Sequence, residues 1–142
     1  MTNKEIKLIG FNFSKILAEK NPEFDGKLEI KPSMNIASIE KHRFESTKQE
    51  AVKVNFSFGI DYSALGKMNF EGTMYLSMDA KSMKETLTGW KDKKLDKDIH
   101  ILILNIIMQK SSLKALQFEE EIGLPPHVQL PRLTLGQKES KK

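Results

Sequence analysis

At 142 residues, 39% of them hydrophobic, the chain has the length of one domain built round one core. The absence of cysteine excludes disulfides, thiolate metal sites and cysteine nucleophiles, and fits a reducing, cytoplasmic setting. A net charge of +4 comes from 23 basic and 19 acidic residues mixed along most of the sequence, which argues against a focused nucleic-acid surface.

No secretory signal is expected at the start, because Met1 to Lys7 runs into an alternating segment. Ile9, Phe11 and Phe13 share one parity and Ile16 and Ala18 the other, the pattern of a long strand with a bulge near Ser14. Asn21-Pro22 ends that strand, and Asp25-Gly26 supplies a turn. Leu28, Ile30, Met34 and Ile36 then alternate in a second strand containing Pro32, which places it at an edge, at a bulge, or divides it between Lys31 and Ser33. Val52, Val54, Phe56, Phe58 and Ile60 form the clearest strand, with Lys53, Asn55, Ser57, Gly59 and Asp61 opposite. A fourth follows through Met68, Phe70, Met74, Leu76 and Met78, where Gly72 marks a bulge or a close backbone approach.

The period then lengthens. Ser82 and Glu85 have capping-box spacing, with Met83, Leu87 and Trp90 behind them in a short helix. After a charged connector, Asp98 to Ile122 reads as a helix of about seven turns closed by Gly123 and Pro125-Pro126. Its longest apolar run, Ile99 to Met108, includes His100 and Asn105 and is about half a bilayer span, so no membrane crossing is expected. That half of the helix is apolar nearly all round, more than one sheet can cover. A second subunit is therefore expected against it, with Ile99, Leu102, Ile103, Ile106 and Met108 at the oligomer interface.

Catalytic and metal signatures are missing, so the chain is not expected to be an enzyme or to need a cofactor. His42 and Glu45 have an H-x-x-E spacing but fit a solvated loop pair. His100 suits a packed or interface position, His127 a loop, and Glu119, Glu120 and Glu121 a solvated acidic face. The methionines fall on the apolar parity of their elements and fit ordinary core, although such side chains also serve adaptable binding surfaces.

Three segments resemble the SecB family of preprotein chaperones: Phe13-Ser14-Lys15-Ile16 with Pro22, Phe70-Glu71-Gly72-Thr73-Met74-Tyr75-Leu76, and Gly123-Leu124-Pro125-Pro126-His127-Val128-Gln129-Leu130-Pro131. The resemblance covers residues 8 to 135 and implies an α+β fold, a four-stranded antiparallel sheet with a short and a long C-terminal helix packed on one face. Length gives one domain, taken over residues 1–135, and Lys138, Lys141 and Lys142 after the last apolar anchor, Leu135, give a disordered basic tail over 136–142. The resemblance also implies a nucleotide-independent holdase, a homo-oligomer (dimer or homotetramer) that binds unfolded or preprotein polypeptide clients in surface grooves. Leu28, Ile30, Met34 and Ile36 stand at the client-binding strand, with Val54, Phe56 and Phe58 read as core. Members that serve export are acidic and lie against a translocation motor through that acidity, whereas this chain is basic. A general holdase or a chaperone dedicated to one partner fits the basic chain as well as export does. The competing expectation is a basic-surface protein that binds nucleic acid or another anionic partner.

Overall fold

The computed structural model describes residues 6–23 and 26–128. Asp25 of the expected turn, residues 129–131 of the proline segment and the basic tail 136–142 lie outside the described residues. The fold is α+β, with strands β1 (Lys7–Lys20), β2 (Lys31–Arg43), β3 (Glu50–Asp61) and β4 (Gly66–Ser77) followed by helices α1 (Ala80–Lys91) and α2 (Lys97–Ile122). The strands form one open antiparallel sheet in the order β1-β4-β3-β2. β2, β3 and β4 make a meander, and β1 adds to the far side of β4, which leaves β1 and β2 at the edges.

Strict alternation builds the centre. Val54 lies opposite Met74 and Phe58 opposite Phe70, so the apolar parities of β3 and β4 share one face. On the other face the Asn55 amide donates to Ser38 Oγ at 2.8 Å and Thr73 Oγ1 donates to Asn55 Oδ1 at 2.9 Å, beside an aromatic cluster of His42, Phe44 and Tyr75.

β1 reaches the same apolar face through bulges at Ile9 and Ser14, where its register against β4 slips. The Ser14 bulge is the one the parity switch predicts; it brings Phe13 and Ile16 to one side although they are an odd number of residues apart. Gly72 lies opposite Phe13, and a side chain there would meet Asn12 O at 2.5 Å and Phe56 Cζ at 2.7 Å. Only glycine lets the two backbones approach so closely.

β2 is an edge strand, where Pro32 is tolerated opposite Ile60. It begins and ends later than the sequence suggests, because Leu28 and Ile30 precede it and a bulge at Ala37 hides its continuation. Ile36 pairs with Phe56 and Ile39 with Val54, so alternation resumes one residue out of step. The segment before β2 is clasped by Ser63, whose hydroxyl accepts from Glu29 N and donates to Glu29 O, each at 3.1 Å. The extension of β2 also corrects the expectation for His42. It is a half-buried strand residue with its ring 4.7 Å from Phe44 and 5.1 Å from Tyr75, not a loop partner of Glu45.

α1 starts three residues before the expected capping box. Asp79 is the N-cap, its carboxylate accepting from Ser82 N at 2.6 Å, and Ser82 is buried in the first turn. Aspartate before a helix competes for this role as well as serine does, which is why the spacing misled. In α2, Asp96 caps the start by accepting from Ile99 N at 3.2 Å, and Gly123 closes the end in the left-handed region (φ 78°). Both helices add residues to a single buried cluster with the apolar face of the sheet, Met83 from α1 and Ile99, Ile103, Ile107 and Ala115 from α2.

Candidate functional site

α2 meets the sheet through one row at a spacing of four: Ile99, Ile103, Ile107, Ser111, Ala115 and Glu119. Ile99 and Ile103, expected at an oligomer interface, are therefore core residues of this chain. The sequence could not separate them from their neighbours because apolar residues surround the axis in this half of the helix. Leu102 and Ile106 are half-buried flanks of the row, and Met108 is 42% exposed.

The opposite row faces water at Ile101, Asn105, Gln109, Leu113 and Gln117. Ile101 is 56% and Leu113 70% exposed. Lys97 and Glu121 stand at the two ends of this row, and the five residues between them carry no charge, in a chain where 30% of residues do. A helix face that remains in water normally collects lysine and glutamate. By length and composition α2 would also pass as a bilayer-crossing helix, with a mean hydropathy of 1.2 over an 18-residue window of which 28% is buried. A core helix on one side and an open apolar helix on the other give the same values.

The residues read as client-binding lie along one border of the sheet. Met34 and Ile36 are half-buried and pack onto the core from edge strand β2, facing the same side as the helices. Leu28 is 39% exposed and Ile30 half-buried in the clasped segment before it. Along β2, one side of the backbone pairs with β3 and the other is a sheet edge. At the far edge of the sheet, Ile9 and Ile16 of β1 are exposed apolar residues as well. An open edge beside apolar side chains is the surface on which an extended polypeptide can form ladder hydrogen bonds and bury alternate side chains.

A third feature was invisible in the sequence. Glu119 is 2% exposed and accepts a hydrogen bond from the Tyr62 hydroxyl, while His127 Nδ1 lies 3.0 and 3.1 Å from its two oxygens. His127 Nε2 is 3.1 Å from Ser112 Oγ, and its ring sits edge-on to Phe58 with centroids 6.1 Å apart. A carboxylate only accepts, so Nδ1 carries the proton toward Glu119, while Nε2 pairs with the Ser112 hydroxyl. Burial, then the bond to Glu119 and its charge, push the Tyr62 hydroxyl far above its ordinary value of 10.0, so it stays a donor.

These contacts correct two expectations, that Glu119 is solvated with Glu120 and Glu121 and that His127 is a plain loop residue. Only Glu120 and Glu121 face water. Ser112, His127 and Glu119 have the connectivity of a nucleophile, base and orienting carboxylate. The surroundings oppose catalysis: Ser112 stands inside a continuous helix whose N–H groups serve its own ladder, and the carboxylate is shared with Tyr62. The His127 and Glu119 side chains are almost wholly enclosed. The arrangement clamps the segment after α2 onto the end of β3.

No protein-family model matches the chain, and neither a curated protein nor a solved structure matches it.

Proposed function

We propose that the chain is a SecB-like, nucleotide-independent holdase, a homo-oligomer joined through α2 that binds extended apolar segments of unfolded polypeptides along β2. The observation that carries this reading is apolar surface left exposed among the described residues, on the outward row of α2 and at both sheet edges. Magnitude bears on the two surfaces differently. Fully burying an isoleucine, leucine or methionine contributes about 1.5–3 kcal/mol, so the exposed parts of Ile101, Met108 and Leu113 on two copies supply about 5–10 kcal/mol. Association costs about 4–15 kcal/mol in lost freedom. The half-buried flanks Leu102, Leu104 and Ile106 must then add area, and Asn105, Gln109 and Gln117 offer amides that pair with a second copy across a twofold axis.

The client surface needs less. A holdase must release, so a few half-exposed side chains and an open edge suit weak, sequence-tolerant binding, and Met34 supplies an adaptable contact. Anisotropy of a labelled, extended apolar peptide tests this reading directly. Binding that survives high salt, and that falls several-fold in Leu28→Glu with the fold intact, is the expected result. Binding abolished by salt instead would shift the function to an anionic partner on the basic surface.

A further inference from the structure

At the elbow between α1 and α2 a cavity of about 610 Å³ is lined by Trp90, Lys91, Lys93, Lys94, Leu95 and His100. The connector that forms it reads as evenly mixed charge, Lys91-Asp92-Lys93-Lys94-Leu95-Asp96-Lys97-Asp98. Folding sorts it. Among the described residues three lysines line the cavity and no carboxylate does. Asp96 is committed to capping α2, and Asp92 and Asp98 are exposed outside the lining. Among the described residues no ion pair engages Lys91, Lys93 or Lys94.

The backbone shows how this sorting is held. Asp92, Lys93 and Lys94 donate their N–H groups to Thr88, Trp90 and Gly89 carbonyls at 2.9, 3.1 and 2.7 Å, with Lys93 at φ 60°. Gly89 allows the connector to cross the helix, since a Cβ there would lie 3.0 Å from the Lys94 carbonyl. Those three main-chain donors are consumed by the end of α1, so Lys93 and Lys94 meet an anion through their side chains. Phosphate sites favour main-chain N–H cradles and arginine forks, whereas lysines are point charges on flexible stems that accept carboxylates in varied geometry. Trp90 and Leu95 add an apolar wall.

We propose that the Trp90 cavity is a docking site for an acidic peptide segment of a partner protein, with one apolar anchor residue seated against Trp90 and Leu95 and its carboxylates on the three lysines. Apart from His100, which the sequence allows at an interface, the site uses none of the residues assigned to client holding or assembly, so it stands or falls independently of that function.

Trp90 is the only tryptophan, so its emission reports the site. The full chain is titrated at low salt with a short polyglutamate peptide carrying one central leucine. The controls are the same peptide with serine for leucine, inorganic phosphate and phosphatidylserine vesicles. The expected result is a saturable change in Trp90 emission with the leucine peptide, weaker with the serine peptide. Lys93→Glu combined with Lys94→Glu should weaken it about tenfold or more, as reversing rim charges does, with an unchanged thermal midpoint showing that the fold persists. No saturable change, equal binding of the serine peptide, or a preference for phosphate or vesicles would overturn the proposal.

Discussion

Removing the Tyr62 hydroxyl while keeping its ring isolates the clamp between β3 and the end of α2. Tyr62→Phe preserves the packing of a fully buried side chain and takes one donor from Glu119. A hydrogen bond to a charged group contributes about 1.5–3 kcal/mol, so a loss of about 2 kcal/mol is expected. Glu119→Gln turns one oxygen into a donor facing Tyr62 or His127, both already donors, and breaking such a buried contact costs about 3–5 kcal/mol. The two substitutions share a bond, so the double variant should cost about 1–2 kcal/mol less than the sum. Urea unfolding followed by far-ultraviolet dichroism measures all four corners, against a total stability of about 5–15 kcal/mol for a domain. Single costs below about 0.5 kcal/mol that simply add would refute the clamp.

The same hydroxyl makes stability depend on alkaline pH. Its folded pKa is raised, so above the ordinary value of 10.0 the unfolded chain releases a proton that the folded chain keeps, and stability falls as pH rises. The excess slope of wild type over Tyr62→Phe should approach about 1.4 kcal/mol per pH unit, and equal slopes would contradict it. Ser111 Oγ is buried on the core row without a hydrogen-bond partner among the described residues, so Ser111→Ala should raise stability by about 1 kcal/mol in the same urea assay. Ile103→Asp should unfold the chain, placing a charge in the core at a cost above about 4 kcal/mol. Leu113→Lys should keep the fold and lower the native mass, and an unchanged oligomeric mass would remove the outward row from the interface.

How far the sequence carries is visible element by element. β3 and β4 are legible because each alternates without interruption and both faces have one character. The Ser14 bulge is legible as a parity switch between Phe13 and Ile16, but the bulge at Ala37 is not, since polar and small residues on either side disguise it. The helix end at Gly123 follows from backbone chemistry and is found where expected. Which face of α2 meets the sheet does not follow from the pattern, because hydrophobicity surrounds the first half and only packing selects the row ending in Ser111, Ala115 and Glu119. The Tyr62, Glu119 and His127 contacts join residues up to 57 positions apart, and no local rule pairs a carboxylate in an acidic run with a tyrosine after a strand. The elbow cavity was hidden for the opposite reason: its residues are neighbours in sequence, but alternating charges look solvated until the backbone turns the lysines one way.

The proposed holdase activity rests on exposed apolar surface that takes up unfolded chains. Its most direct test is the aggregation of a chemically unfolded test protein diluted into buffer with this chain, without nucleotide, at low and at high salt. Suppression should persist at high salt, because apolar contact is not screened. Absence of suppression, or suppression only at low salt, would contradict it.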